Sequence, residues 1–260
     1  MPVTLAHPIA AIPLRRPLGR LGVLSALVIG SVMPDLPLFL PLSVSRSLTH
    51  TFVALFWFCL PVGLVAYLLF DWVLERPLRA LMPEAVQRRL PPAGGRPPTW
   101  APAVFVSVLL GAATHSAWDA FTHGESVVGR LYPVLEARLF SVSGYTVYVF
   151  SVLQHASSTL GTLVMAAWIA RWYRTAPQVP VAAPDLTPRA RRWLLLGIGL
   201  VVLAAAVSGG ASRFPEEPTL RALQRFARAI TVAALSSLCG VVTLYGVAWH
   251  WMRARRTRET

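Results

Sequence analysis

Apolar runs long enough to cross a bilayer alternate along this chain with shorter segments rich in Pro and Arg. A membrane-spanning helix needs about 20 predominantly apolar residues. Residues 51–70, TFVALFWFCLPVGLVAYLLF, contain no charge at all and predict a first span, with Pro61 as a kink. Residues 100–121 predict a second span. Residues 147–170 predict a third, closed by the interfacial aromatic and arginine anchor "ARWYR". Residues 193–209 and 229–251 predict two more. At the N-terminus, residues 8–14 and 21–33 are apolar but too short to cross. Pro17 and Gly19 of the intervening "RRPLGR" are turn residues, so a short helical hairpin with its tip at Arg15–Arg20 is expected.

The pattern therefore predicts an all-α, polytopic membrane bundle of about five full transmembrane helices plus that hairpin. Residues 1–174 form a membrane-embedded domain, 175–192 a Pro/Arg-rich linker, 193–251 a C-terminal helical hairpin and 252–260 an Arg-rich tail. The segments "PEAVQRRLPPAGGRPPTWAP" and "TAPQVPVAAPDLTPRARR" are expected to be loosely structured. No internal repeat is visible.

Composition agrees. Of the 260 residues 55% are hydrophobic and only 13% charged, about half the charged fraction of a soluble domain. The net charge of +13 comes from 24 basic residues, all Arg. They lie mainly between the apolar spans, which points to membrane anchoring and away from nucleic acid. Cys59 and Cys239 each sit alone in a span, so neither a disulfide framework nor a CxxC site is indicated. The N-terminus does not read as a secretory signal.

One stretch breaks the apolar pattern. "GAATHSAWDAFTHG", residues 111–124, ends the second span with His115, Asp119, Thr122 and His123. At about 100° per residue, Asp119 lies about 40° from His115 and Thr122 about 20° to the other side, so the three share a helix face. Gly124 is a candidate residue for ending that helix in the left-handed region. A carboxylate in apolar surroundings costs about 2–3 kcal/mol even on a lenient insertion scale, and a divalent cation would offset that cost. In the expected topology His7, Asp35, His50, His115, Asp119 and His123 meet at one membrane level. Four His and two Asp suit zinc or another borderline divalent ion, one or two in number.

These residues also carry a resemblance. "MPVTLAHPIAAIPLRR", "SALVIGSVMPDLPLF", "RSLTHTF", "CLPVGL" and "LLGAATHSAWDAFTHG" resemble, in order and spacing, the bacterial membrane family catalogued as domain of unknown function 4184. More distantly, His7, Asp35, His50, His115 and Asp119 fall in the order seen in membrane-bound metal-dependent hydrolases, which are compared with zinc-dependent phospholipase C. This chain has Pro37 and Ser45 where those hydrolases carry a second Asp and a further His, and His123 is a candidate substitute. The resemblance implies a multi-pass protein of the bacterial cytoplasmic membrane. Seven arginines (Arg46, Arg130, Arg138, Arg213, Arg221, Arg225 and Arg228) fall on the side of the cluster, and the other 17 of the 24 fall opposite. The positive-inside rule then makes the C-terminus cytoplasmic and the cluster non-cytoplasmic.

Each residue also has a plainer reading. His115 and Asp119 would serve as a buried hydrogen-bonded brace, His50 with Thr49 as a helix cap, Asp35 as a turn residue and His7 as an ordinary helix start. His123 would be an interfacial residue. Arg46 is a candidate for binding a substrate phosphate or carboxylate. Thr49, Thr122, Gln154 and His155 are candidates for supporting the ligands or the substrate. His250, between two Trp, reads as an interfacial anchor. Serine chemistry is not indicated, since Ser116 faces away from the cluster. The expected activity is hydrolysis of a lipid or lipid-linked (phospho)ester, with Asp35 or Asp119 as general base and membrane lipids as partners. The alternatives are a metal-stabilised membrane scaffold and a transporter.

Overall fold

A computed structural model describes residues 6–40, 42–91, 100–124, 126–142, 145–179, 185–215 and 219–256. Within the two segments expected to be loose, 83–102 and 175–192, residues 92–99 and 180–184 lie outside the described residues, as do the tail residues 257–260. The rest of those segments is partly ordered: Glu84–Gln87 is helical, a helix starts at Trp100, and Pro188 opens another. Four helices are long and apolar enough to cross a membrane: Leu55–Leu81, Trp100–Thr122, Pro188–Ala211 and Ala222–Arg255. The segment expected as a further span does form a helix, Val149–Thr175. It is not among the four because its N-terminal half carries Ser151, Gln154, His155, Ser157, Ser158 and Thr159. Most helices also outrun their apolar stretches. Leu55–Leu81 continues past Phe70 through Asp71, Glu75, Arg76 and Arg79.

The chain divides into two compact units. The first comprises residues 1–35, 44–67 and 96–175. Its N-terminal hairpin is built of short helices, Pro8–Ala11, Arg15–Leu18 and Leu24–Gly30, joined by 3-10 turns. The reversal depends on Gly19, at φ 54°, and on Gly22, where a Cβ would stand 2.6 Å from the Arg15 carbonyl oxygen. Ser107, in the second span, holds the hairpin at both backbone polarities. It accepts from the Val23 N–H at 2.9 Å and donates to the Leu21 carbonyl at 2.8 Å.

Below that clamp, Leu24–Gly30 lies directly on Trp100–Thr122. A Cβ on Gly30 would meet the Val108 carbonyl at 2.2 Å, and one on Gly111 would meet the Leu27 carbonyl at 2.3 Å. Two glycines thus let backbone touch backbone, the small-residue packing that membrane helices use. Leu27, Val108 and Ala112 are fully buried around this contact. Pro61 follows a π-turn, Leu55–Cys59, in which the Leu60 N–H reaches the Leu55 carbonyl. The wide turn takes up the geometry that an interior proline disturbs.

Between the second span and Val149–Thr175 the described chain is not wholly helical. Ser126 caps a short helix, Val127–Leu131, and the strands Arg138–Val142 and Tyr145–Tyr148 pair antiparallel. Gly124 is not the left-handed terminator that its position suggested, because Gly19 is the described glycine with positive φ. Its function is space: a Cβ there would stand 2.9 Å from the Phe150 ring.

The second unit comprises residues 36–43, 68–95 and 176–260. Thr187 caps the Pro188–Ala211 helix by accepting from the Ala190 N–H, with Pro188 at the first helical position. That helix packs on Leu220–Arg256 through Gly209, where a Cβ would stand 2.5 Å from the Ala233 Cβ. His250 reaches the Val73 carbonyl at 3.2 Å, and its neighbour Trp249 is buried.

Candidate metal centre

The glycine contact in the first unit determines where the polar residues meet. Bringing Leu24–Gly30 onto the Trp100–Thr122 backbone places the Ser31 carbonyl, one residue past the helix, against His115. His115 donates Nδ1–H to it at 2.7 Å. The next residues form a 3-10 turn, Met33–Leu38, that buries Asp35 completely. Thr49 then ties the Pro-Asp turn to the Thr-His turn by donating Oγ1–H to the Pro34 carbonyl at 2.7 Å. His50 donates Nδ1–H to the Arg46 carbonyl at 2.9 Å.

Both imidazoles therefore spend their Nδ1 protons on carbonyl oxygens, which only accept. That leaves the two Nε2 atoms facing each other at 3.2 Å. Asp119 Oδ2 lies 3.1 Å from His50 Nε2 and 3.4 Å from His115 Nε2. Asp35 lies 3.4 Å from His50 Nε2 through Oδ1 and 3.7 Å from His115 Nε2 through Oδ2. Ligands about 2.0–2.2 Å from a tetrahedral ion stand about 3.3–3.6 Å apart, so these separations are those of a ligand set. Asp35, His50, His115 and Asp119 could hold a metal ion, with one ligand atom of each within 4.8 Å of the others.

The other candidates surround the four. His7 is buried, stacks on the His115 ring at 3.8 Å between centroids, and binds Asp119 Oδ1 at 3.0 Å through Nε2. It supports the carboxylate from the side away from the cluster. His123 stands 3.4 Å from the same Oδ1 through Nδ1, while its Nε2 accepts from Arg46 at 3.1 Å and meets the Gln154 amide at 2.6 Å. Arg46 spans both acids, donating from Nε to Asp35 Oδ1 at 3.0 Å and from its terminal nitrogen to Asp119 Oδ2. Thr122 lies 3.3 Å from His123 Nδ1. His155 is not brought in. It is exposed and donates Nδ1–H to the Ser151 carbonyl one turn back. The buried Ser116 Oγ has no hydrogen-bond partner among the described residues, so nothing there activates it as a nucleophile.

The electrostatics follow from this packing. Burial alone would lower the His50 pKa, but hydrogen bonds to Asp119 and Asp35 outweigh it and raise the value above its ordinary 6.5. At His123 burial dominates, and the Arg46 charge adds to it, holding the imidazole down at about 4. The arrangement favours positive charge between the two Nε2 atoms, and a proton on His50 and a metal ion are rivals for that place.

Several supporting groups carry little sequence signal. Ser31 contributes only its carbonyl, and Gly30 and Gly111 contribute only the absence of a side chain. Trp118 backs His7 with ring centroids 5.5 Å apart. Their one sequence signal is that both glycines sit in the segments that carry the ligands, "VIGSVMPD" and "LLGAATHSAWD". The family described as Domain of unknown function (DUF4184) matches residues 1–244. Neither the curated proteins nor the solved structures contain a match to the chain.

Proposed function

We propose, from the premise that the chain belongs to the family described as Domain of unknown function (DUF4184), that it is a membrane-embedded metalloprotein. In this reading Asp35, His50, His115 and Asp119 bind one divalent cation. The carrying observation is the facing pair of Nε2 atoms at 3.2 Å, with both Nδ1 atoms committed to carbonyls. Two lone pairs so close repel unless a proton or a metal ion lies between them. Two imidazoles and two carboxylates suit zinc or another borderline divalent ion.

The chemistry we assign is hydrolysis of a lipid or lipid-linked (phospho)ester. A bound divalent ion supplies an acidified water and charge stabilisation at such a centre. Arg46, the most exposed of the inner groups at 30% of its side chain, is the group to receive the substrate's anionic oxygen. Asp119 is assigned as base on position alone: Oδ2 faces the two Nε2 atoms, and Oδ1, which is bonded to His7, is the carboxylate oxygen outside the four-atom cluster. The lipid assignment is supported by an apolar groove of about 580 Å³ beside the centre, lined by Trp118, Phe121, Thr122 and Leu153. Of those residues Thr122 lies on the face that carries the ligands, and Trp118 packs against His7.

A second reading has a specific observation behind it. Arg46 already bridges both carboxylates, and such a closed network could serve as a metal-free scaffold brace. Elemental analysis of the purified full-length chain separates the two. About one divalent ion per chain is expected, lost in the His50→Ala, His115→Ala double variant. Metal-free protein whose thermal stability is unchanged by added zinc or by chelator would decide for the brace.

A further inference from the structure

We propose that the first unit carries a second binding site, for an anionic phospholipid, far from the metal centre along the same helix. A groove of about 640 Å³ opens between the N-terminal hairpin and the Val149–Thr175 helix. Ile12, Leu24, Val164 and Trp168 give it apolar walls, and Arg15 and Arg16 line it as well. Trp168 lies about 20 Å further along that helix than Gln154, which touches His123, taking about 1.5 Å of rise per residue. The groove therefore shares no residue with the metal centre.

Two adjacent arginines in an apolar groove need an explanation. Four guanidinium groups elsewhere are matched with carboxylates: Arg46 with Asp35, Arg79 with Glu75, Arg88 with Glu84 and Arg253 with Asp185. Among the described residues neither Arg15 nor Arg16 has an ion pair or side-chain hydrogen bond. Both are exposed, and both sit in the last turn of the short Arg15–Leu18 helix. Their charge is thus available to a ligand. Guanidinium is the side chain best matched to phosphate oxygens, through paired N–H donors. Trp168 is 37% exposed, and its amphipathic ring suits the level where headgroups meet acyl chains. One ligand matches both halves of the groove: a phosphodiester with net negative charge, carrying hydrocarbon chains. A zwitterionic headgroup brings its own cation to the arginines, and free phosphate leaves the apolar walls unfilled.

The test uses the purified full-length chain in a nonionic detergent. Lipid retention is read by native mass spectrometry against phosphatidylglycerol and phosphatidylcholine of the same chain length. One phosphatidylglycerol per chain is expected, preferred about tenfold or more over phosphatidylcholine, given the attraction of each arginine for anionic lipid. Arg15→Gln with Arg16→Gln should abolish the preference. Val164→Trp keeps both charges but fills the groove, and should weaken retention by a similar factor. Circular dichroism melts show that each variant is folded. Equal retention of both lipids by the native chain would overturn the proposal. So would undiminished phosphatidylglycerol binding in folded Val164→Trp, which would make the attraction one of surface charge alone. Displacement of the lipid by millimolar inorganic phosphate would overturn it too, in favour of a free-phosphate site.

Discussion

His50 Nε2 and His115 Nε2 stand 3.2 Å apart, although 65 positions separate the residues in the chain. Neither ring chose that approach independently. His115 is oriented by the Ser31 carbonyl at 2.7 Å and His50 by the Arg46 carbonyl at 2.9 Å. Each anchor belongs to a turn that also positions an acidic or basic partner: Ser31 leads into Asp35, and Arg46 itself binds Asp35 and Asp119. The cluster is thus held by backbone geometry, and its integrity can be tested without altering a ligand.

Gly111 offers that test. A Cβ there would stand 2.3 Å from the Leu27 carbonyl and 2.9 Å from the Ser31 N–H nitrogen, both backbone atoms that cannot rotate away. Gly111→Ala should destabilise the chain by about 1–3 kcal/mol, as overpacking does, and should lower metal content by displacing the Ser31 carbonyl from His115. Gly197→Ala is the control, since nothing lies within 4 Å of a Cβ there, and it should leave both quantities unchanged or slightly improve stability. A folded Gly111→Ala variant with full metal content would show that the helix contact does not position the ligands.

The helices were legible because a span needs a long uncharged run, and four of the five expected runs supply one. Residues 147–170 predict a span by their length and closing anchor, but Gln154 in that helix turns to the polar centre and reaches His123. The ligands were legible for a related reason: His115 and Asp119 are conspicuous in an apolar helix, and the fourfold spacing puts them on one face. Their ranking was not. His7 and His123 look equivalent to His50 in sequence, yet His7 stacks on His115 and His123 bonds to Arg46. Periodicity places a residue on a face. It carries no information on which nitrogen a neighbouring carbonyl will occupy.

Acid should weaken the metal-free protein through His123. Its folded pKa of about 4 lies below the ordinary 6.5, so the unfolded chain binds more protons between those values. Stability then rises with pH across that window and is lost on acidification. His50 acts in the opposite sense: its raised value gives stability that is full below the unfolded pKa and fades as pH climbs through the folded one. Melting temperatures of chelator-treated protein should therefore fall from about pH 6.5 toward pH 4. The fall should be shallower in His123→Gln and nearly unchanged in His50→Gln, which should instead flatten the decline in stability above pH 6.5. An acid profile in His123→Gln identical to that of the native chain would mean that this ring does not titrate in its described environment.

Arg46 should act as a rival to the metal. It neutralises Asp35, which is fully buried, and Asp119, whose side chain is 5% exposed. Removing one partner of such a pair strands buried charge, at about 3 kcal/mol or more. Metal-free Arg46→Gln should be less stable by that order, while its affinity for zinc should rise, because the cation no longer competes with a guanidinium for the same oxygens. Isothermal titration of the chelated protein measures this directly. Weaker zinc binding in the variant would instead make Arg46 a support for the ligand set, and would remove it as the group free to receive a substrate anion.

Turnover is the last expectation, and it depends on the division of labour at Asp119. Oδ2 faces the two Nε2 atoms, whereas Oδ1 faces His7 and His123. Asp119→Asn nearly preserves shape but removes the charge from both edges. His7→Gln removes the imidazole that supports Oδ1 and stacks on His115, while leaving all four ligands in place. If Oδ1 handles a proton during hydrolysis, His7→Gln should retain metal and lose activity by about 10²-fold or more, the usual worth of positioned proton transfer. Asp119→Asn should lose both metal and activity. The assay is zinc-loaded protein in detergent with phospholipids and lipid-linked phosphates, read as released headgroup. Equal activity in His7→Gln and the native chain would take the proton step away from Asp119 Oδ1. A metal-replete native chain that turns over none of these substrates, with no exchangeable water detected at the ion by spectroscopy, would make the centre structural.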